Sequence, residues 1–352
     1  MVKAKNSKIV SIRDVAGQVG VSPTTVSLAL QGSSRVSVEM REKVQQAARR
    51  MNYHRNSLVD TIFKGTSNTI GILVAHISER FQGDICGHII DLAHDAGFFS
   101  MVYNHHLEAE REKDFIHRGI EKQLEGFIIF ATRDQTNDED FWQLKEMGIP
   151  FVLIDKNIPG LNCNSVITDD IAGAYMMTNH LMSLGHCRIL HISGETSIFT
   201  ARERISGFKS AITTAGIDIR PEMIYNFTYE LEEMEAQSDG LKSHIESFSP
   251  TAIFCGNDHI AGFTGKILAD LKLKVPDDIS VAGYGRVEDY IMGNVRLTTV
   301  DQHIDRISTV AMAMLLRDIM AKRKGLSVNG GDFKIVESEI FEGKSCKNMG
   351  LH

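Results

Sequence analysis

Residues 11–30 read SIRDVAGQVGVSPTTVSLAL and predict two short helices joined by a tight turn. Apolar residues in the first half recur at positions i, i+3, i+4 and i+7, which is the spacing of one buried helical face. Ser11 has the position of its N-cap, and Gly20 the position at which it ends. Ser22 is suited to cap the second helix, with Pro23 at its first position, where a missing N–H costs nothing. Two short helices separated by Gly-Val-Ser indicate a helix-turn-helix.

A third helix is predicted over residues 37–51, with Ser37 as its N-cap and an apolar side that packs against the first two helices. Charge follows the same division of the chain. Residues 1–65 hold 11 Lys and Arg against 4 Asp and Glu, whereas residues 66–352 hold 27 against 41. A small basic unit is therefore tethered to a large acidic one, and a polyanion attracts the first without adhering to the second. A three-helix bundle whose basic face is merely solvated is the alternative.

The basic unit offers a short row of side chains to a polyanion. In a helix-turn-helix the N-terminal end of the second helix enters the major groove of DNA. The side chains exposed there are predicted to be Pro23, Thr24, Thr25, Ser27 and Leu28. Short hydroxyl side chains suit contacts with phosphates and base edges.

From Thr69 onward, short β-rich apolar runs alternate with helical stretches. The predicted strands are residues 70–75, 98–103, 126–130, 151–154, 188–192, 252–255 and 280–284. Because parallel strands need long crossovers, this alternation predicts parallel sheets covered by helices, arranged as two doubly wound lobes. Ligands of such folds bind at the carboxyl ends of the strands.

Several functional classes are disfavoured by the sequence. No run approaches the about 18 consecutive apolar residues of a membrane helix, and the polar N-terminus lacks the apolar region of a signal peptide. We therefore expect a cytoplasmic protein without a membrane partner. The five cysteines are scattered, and the histidines lack metal-binding spacing, so neither a disulfide framework nor a metal or other cofactor is predicted.

The chain also lacks a Walker A loop, a GxGxxG loop and a GxSxG nucleophile elbow, so it is not predicted to be an enzyme. Two other classes remain as alternatives. A solute-binding protein would carry a signal peptide and no basic headpiece. An α/β enzyme with a fused DNA anchor would carry a catalytic constellation and show turnover.

The segment 11–30 resembles the headpiece of the LacI/GalR family of bacterial repressors, and the likeness covers nearly the whole chain. Residues 35–56, RVSVEMREKVQQAARRMNYHRN, match the third helix and the Tyr-x-x-Asn exit of that headpiece. Later landmarks are NHLMSLGHCRILHISG, TARERISGF, AIFCGNDHIA, VPDDISVAGYG and LTTVDQ, which resemble the periplasmic-binding-protein type I fold. The resemblance implies an all-α helix-turn-helix headpiece joined to an α/β domain of two doubly wound lobes.

The same resemblance implies the organisation of the chain and its activity. The headpiece is expected at residues 1–55, a hinge helix or linker at 56–67, and an effector-binding and dimerisation domain at 68–345. The chain should cross between the lobes near residues 163–168, 292–297 and 324–330. The implied function is a transcriptional repressor that binds a palindromic operator in double-stranded DNA as a homodimer. A small-molecule effector, a sugar or related metabolite, would modulate it from the cleft between the lobes.

Roles for individual DNA-binding residues also follow from the resemblance. Base-reading positions fall on Pro23, Thr24 and Leu28. Backbone-positioning ones fall on Ser22, Thr25, Ser27, Ser37, Tyr53 and Asn56. Ile62, within the hinge segment NSLVDTIFK, has the position of an apolar wedge that opens a base step in the minor groove. A mere flexible tether is the alternative for this segment, since Asp60 adds negative charge near phosphates and Arg55 replaces a rigid proline.

The expected effector site, carried over position by position, consists of Phe81, Gln82, Asp155, Thr200, Arg204, Asn257, Asp258 and Gln302. The family's carboxylate after the GY strand is absent, and Gly285 and Arg286 stand in its place. Arg80 likewise replaces a common proline. If Arg80, Arg204 and Arg286 face one cleft, an effector with a phosphate or carboxylate is favoured over a neutral sugar. The alternatives are that Arg204 forms a structural salt bridge and that Arg80 or Arg286 points to solvent.

Overall fold

The structure is a computed structural model that describes residues 10–53, 66–131, 138–158, 160–228, 231–286, 291–292, 295–328 and 331–350. The chain forms two compact units, residues 1–67 and residues 68–352. Within these described ranges, no helix has the length and apolar character needed to span a membrane.

The first unit is a three-helix headpiece of α1 (Ile12–Val19), α2 (Pro23–Leu30) and α3 (Val38–Arg50). The predicted caps are confirmed. Ser11 and Asp14 form a reciprocal capping box at the start of α1, and Gly20 ends α1 with a φ of 78°. The hydroxyl of Ser22 accepts the Thr25 N–H of α2 at 3.1 Å. The core consists of Val15, Ala16, Val19, Val26, Ala29, Val36, Val44 and Ala48.

The second unit has two lobes, and the N-terminal lobe is built on a six-stranded sheet. Its elements are β1 (Thr69–Val74), α4 (Arg80–Asp95), β2 (Phe99–Asn104), α5 (Ala109–Glu121), β3 (Gly126–Phe130), α6 (Asp138–Glu146), β4 (Phe151–Ile154) and β5 (Asn164–Thr168), joined later in the chain by α12 (Ile304–Arg323) and β13 (Phe333–Val336). The strand order is β13-β5-β4-β3-β1-β2, and every pair is parallel. Helices α4 and α12 cover one face, whereas α5 and α6 cover the other.

The C-terminal lobe repeats this design with a second six-stranded sheet. Its elements are α7 (Asp170–Ser183), β6 (Ile189–Ser193), α8 (Phe199–Thr214), β7 (Ile224–Asn226), α9 (Leu231–Ala236), α10 (Ser238–Phe248), β8 (Ala252–Cys255), α11 (Asp258–Asp270), β9 (Ser280–Tyr284), a hairpin of β10 (Ile291–Met292) and β11 (Val295–Arg296), β12 (Thr298–Asp301) and β14 (Glu339–Phe341). The order is β14-β12-β9-β8-β6-β7, in which only β14 is antiparallel.

The seven predicted strands are confirmed to within one residue as β1, β2, β3, β4, β6, β8 and β9. Most of these strands are buried along their whole length, as parallel strands covered on both faces should be. Strands β5, β7 and β10 to β12 did not emerge from the sequence, because each is short and lacks a long apolar run.

All three crossings between the lobes lie outside the residue ranges predicted for them. The first lies at Asp169, directly after β5, which itself belongs to the N-terminal lobe. The second lies at residues 302–303, because the segment around 291–296 forms a hairpin and the chain returns to the same lobe as β12. The third lies at residues 337–338, between β13 in one sheet and β14 in the other.

The chain after β14 packs against the base of the C-terminal lobe. The buried hydroxyl of Ser345 donates to the Val281 carbonyl at 2.6 Å and accepts the Thr298 N–H at 2.7 Å. Further on, the Met349 N–H donates to the Leu184 carbonyl at 2.8 Å. This strap therefore completes the hydrogen bonding of β9 and β12.

We predict that Ser345→Ala lowers the free energy of unfolding by about 1–3 kcal/mol, because the buried Thr298 N–H loses its acceptor. Urea unfolding followed by circular dichroism measures this change. The exposed Ser247 on α10 provides the control, since Ser247→Ala should change stability by less than about 0.5 kcal/mol. Equal effects of the two substitutions would refute the role of the strap.

Candidate functional site

The proposed DNA-contacting residues of the headpiece lie at the start of α2 and at the edges of α3. Ser22, Pro23 and Thr24 are exposed at the N-terminal end of α2, whereas Thr25, Ser27 and Leu28 are partly buried. Ser37 is exposed at the N-cap of α3. Tyr53 is partly buried against the headpiece core. Asn56 and Ile62 lie outside the described residues.

Three of these side chains also serve the headpiece itself. The hydroxyls of Ser22 and Thr25 lie 2.9 Å apart and form part of the cap of α2. Leu28 packs against the headpiece core, so a change there also affects stability. Thr24 is exposed on the first turn, which makes it the most direct probe of base reading.

The second site is a cavity of about 400 Å³ between the two lobes, at the carboxyl ends of both sheets. In each sheet the strand order reverses beside the first strand of the lobe, between β1 and β3 and between β6 and β8. Loops diverge at such a switch point and leave a crevice. The cavity has the size of a small-metabolite site.

Seven of the residues expected in the effector site line this cavity. They are Phe81, Gln82, Asp155, Thr200, Arg204, Asn257 and Gln302. Their neighbours complete the wall but were missed from the sequence. These are Ala75, His76, Ser78, Glu79, Leu107, Phe130, Ala131, Ile154, Lys156, Ile198, Phe199, His259 and Tyr284. Seven of these thirteen residues end a predicted strand or lie within two residues after one, and that position was the available signal.

Several polar side chains of the wall hold the backbone around it. The Gln82 Oε1 accepts the N–H groups of Ala75 and His76 at 2.8 and 3.1 Å, which fixes the turn after β1. The Asn257 Oδ1 caps α11. The Gln302 Nε2 donates to the Thr168 hydroxyl at 2.8 Å, so the second crossing is bonded to the end of β5 beside the first.

Arg204 lines the cavity and forms a buried salt bridge at the same time. Its Nε donates to the Asp170 Oδ1 at 2.7 Å, and its Nη1 donates to the Gly256 carbonyl at 2.6 Å. Its Cζ lies 3.8 Å from the centroid of the Tyr284 ring. The structural role that the sequence left open is thus present, and the Asp170 carboxylate offsets the charge of the guanidinium.

The expected gathering of three arginines in the cleft is not found. The Arg286 guanidinium pairs with Asp301 and lies 4.6 Å from the centroid of the Phe341 ring, away from the described cavity wall. Asp301 also approaches His303 and Glu339, a grouping of potential metal ligands in which Arg286 already neutralises one carboxylate. The paired cation disfavours a metal at this point.

Arg80 and Asp258 also lie outside the described cavity wall. Arg80 is exposed on the first turn of α4. Asp258 is 1% exposed, and its Oδ1 accepts the Thr299 hydroxyl at 2.6 Å. Asp258 therefore supports the strands beneath the cavity, since its carboxylate is bonded within the lobe.

Two carboxyl groups of the N-terminal lobe face the cavity. Asp155 ends β4 in the left-handed region, with a φ of 56°, and its buried Oδ1 has no hydrogen-bond partner among the described residues. Burial raises the pKa of Asp155 to about 7, and the nearby charge of Asp170 acts in the same direction. Glu79 accepts the Gln82 N–H at 3.0 Å, yet burial still raises the pKa of Glu79.

Comparison with known proteins identifies both units. Residues 11–56 match the model of bacterial regulatory proteins of the lacI family, and residues 178–331 match the model of the periplasmic binding protein-like domain. The HTH-type transcriptional regulator DegA of Bacillus subtilis is 31% identical over 317 residues, which cover 89% of this chain and 93% of that protein. The chain belongs to the LacI family.

Other members of the LacI family agree with this assignment. The HTH-type transcriptional repressor PurR of Vibrio vulnificus is 30% identical over 312 residues, which cover 89% of this chain and 92% of that protein. The crystal structure of the Lac repressor dimer bound to operator and the anti-inducer ONPF has a TM-score of 0.80 at 25% identity, with 97% of this chain and 100% of that chain covered. The predicted fold class and family are confirmed, and the chain is a DNA-binding transcription regulator of the repressor type.

We predict that Asp155→Asn stabilises the ligand-free protein by about 1–3 kcal/mol at pH 8, because it removes a buried charge that lacks a donor. The folded-state pKa of Asp155 is raised from 3.8 to about 7, so the folded chain binds the proton more tightly than the unfolded chain in this window. Wild-type stability therefore falls as pH rises from 4 to 7, and the variant loses this component.

Thermal and urea unfolding of both proteins across this pH range measure the difference. The control is Asp95→Asn, because the Asp95 side chain is 83% exposed. A variant less stable than the wild type at every pH would show that Asp155 is paired in the folded protein.

Proposed function

We propose that the protein is a cytoplasmic homodimeric repressor that binds a palindromic operator, and that a small metabolite in the cavity between the lobes sets its affinity for DNA. The observation that carries the proposal is the presence in one chain of a helix-turn-helix headpiece and a cavity of about 400 Å³ at the switch points of two sheets. Its role is regulation by binding and not turnover. For residues 56–67, most of which lie outside the described residues, we propose the role of a hinge, with Ile62 as the minor-groove wedge.

Dimerisation is supported by three considerations. One chain carries one recognition helix, and specific affinity ordinarily requires two half-sites related by two-fold symmetry. The structurally similar Lac repressor binds its operator as a dimer. In addition, the edge strand β2 exposes 77% of Phe99 and 37% of Met101, an apolar edge that a second copy would bury.

We propose that the effector is a small metabolite of sugar size and that it carries no anionic group. Arg286 and Arg80 lie outside the described cavity wall, and Arg204 is balanced by Asp170. The Asp155 Oδ1, which has no hydrogen-bond partner among the described residues, favours a ligand that donates hydrogen bonds. The inference of an oxyanion held by arginines therefore loses its basis in this cavity.

We predict that in vitro selection with the purified protein yields a palindromic DNA site, and that Thr24→Ala changes base preference at one symmetric pair of positions by about 1–3 kcal/mol. The exposed Thr24 lies where the first turn of α2 would meet base edges. Light scattering of the complex should give two chains per operator.

The exposed Lys43 on α3 provides a contrast. Lys43→Ala should weaken binding to all DNA sequences alike and reduce the salt dependence of binding, because a lysine contributes charge and does not read bases. A selected site without two-fold symmetry, or a monomer at operator-binding concentrations, would overturn the proposed function.

A further inference from the structure

The charged groups of the cavity wall are unevenly compensated. The charged residues of its described part are Glu79, Asp155, Lys156 and Arg204. The Arg204 guanidinium is bonded to the Asp170 carboxylate. The Lys156 ammonium lies 5.7 Å from the centroid of the Phe141 ring, which belongs to a core cluster on one face of the N-terminal sheet and not to the cavity wall. Glu79, Asp155 and Asp170 thus place three carboxyl groups beside the two cations Lys156 and Arg204, and the charge of Arg204 also acts on Glu79 and Asp155.

Asp155 is the more informative of the two carboxyl groups in the wall. Its Oδ1 is buried and lacks a hydrogen-bond partner among the described residues, although the side chain lines the cavity. A buried carboxylate oxygen costs free energy unless a donor satisfies it. The left-handed backbone of Asp155 belongs to the turn that follows β4, so this side chain is held at the cavity wall by the fold.

The apolar part of the wall suits the same kind of ligand. Phe81 and Phe130 come from the N-terminal lobe, and Phe199 comes from the first turn of α8 in the other lobe. Aromatic rings present a negative face to cations and an apolar surface to carbon skeletons. Carboxylates beside aromatic rings are thus a favourable environment for a cationic nitrogen on an organic body.

We propose that the effector carries a protonated amine or amidine, which binds between the carboxylates of Asp155 and Glu79 while its body packs against Phe81, Phe130 and Phe199. This rests on the proposed function, in which the cavity is the effector site. A neutral polyol supplies a donor to Asp155 but no positive charge beside the carboxyl groups. A phosphate or carboxylate ligand is repelled by their ionised forms, whereas a cation pairs with them.

Binding of such a cation is linked to pH. Burial raises the pKa of Asp155 to about 7 and also raises the pKa of Glu79, so both carboxyl groups bind protons readily in the empty cavity. A bound cation favours their ionised forms, so affinity should rise between pH 6 and pH 8 for a ligand whose amine stays protonated over this range. The other titratable or charged groups near the pair are His76, Lys156, Asp170, Arg204, Asp258 and His259.

The test is a panel of amines of mono- and disaccharide size, each paired with its N-acetyl and hydroxyl counterparts and with a sugar phosphate. D-glucosamine and D-galactosamine, with N-acetyl-D-glucosamine, D-glucose, N-acetyl-D-galactosamine, D-galactose and D-glucose 6-phosphate, form its first members. Saturation-transfer NMR and calorimetry on the full chain measure binding. We expect the amine of at least one pair to bind about tenfold more tightly than its uncharged partners.

Three variants of the full chain localise this binding. Asp155→Asn and Glu79→Gln should each weaken binding of the amine by about tenfold. Asn accepts the left-handed backbone, and Gln keeps an acceptor for the Gln82 N–H, so both variants retain the local structure. Asp95→Asn, at a side chain that is 83% exposed, should leave binding unchanged.

The cation assignment is overturned if no amine of the panel binds, if an uncharged or phosphorylated partner binds as tightly as its amine, or if amine binding survives Asp155→Asn. A neutral compound that binds the cavity and changes operator affinity would overturn only this assignment and leave the proposed function standing. A chain that selects no palindromic DNA site would instead remove the proposed function.

Discussion

The parallel pairing of the strands is the constraint on which the rest of the structure depends. Parallel strands deliver all their carboxyl ends to one edge of a sheet, and reversal of the strand order beside β1 and β6 opens a crevice at that edge. Because the chain crosses between lobes at Asp169, at 302–303 and at 337–338, the two edges share one cavity. The wall is therefore made of loops that follow strands, supported by rigid sheets beneath.

The crossings also connect the cavity with the lobes around it. Gln302 lines the cavity and donates to Thr168 at the end of β5, so residues beside two crossings are bonded to each other at the ligand site. A ligand that contacts Asp155 in one lobe and Phe199 in the other favours one arrangement of the lobes. Ligand and operator would then be linked through a common equilibrium, in which each alters the affinity for the other by the same factor.

The sequence predicted what is determined locally. The spacing of Val15, Ala16 and Val19 and the capping residues Ser11 and Ser22 define the headpiece helices, because their partners lie within one turn. The buried strands follow from apolar runs in the same way.

The crossings were not predictable at this level, since the assignment of β13 and β14 to different sheets depends on pairing with distant strands. The direction of Arg286 depends likewise on Asp301 and Phe341. Charge balance in the cavity could not be read from the sequence either, because Asp170 compensates Arg204 while Asp155 remains without a donor.

The central claim is that occupancy of the cavity between the lobes controls operator affinity. It is tested most directly by operator binding with and without a small-molecule extract of the source cells, using the wild type and a Thr200→Trp variant in which the larger side chain narrows the cavity. We expect the extract to shift the operator affinity of the wild type by about tenfold or more and to leave that of the variant unchanged. Equal shifts for both proteins, or none for either, would contradict it.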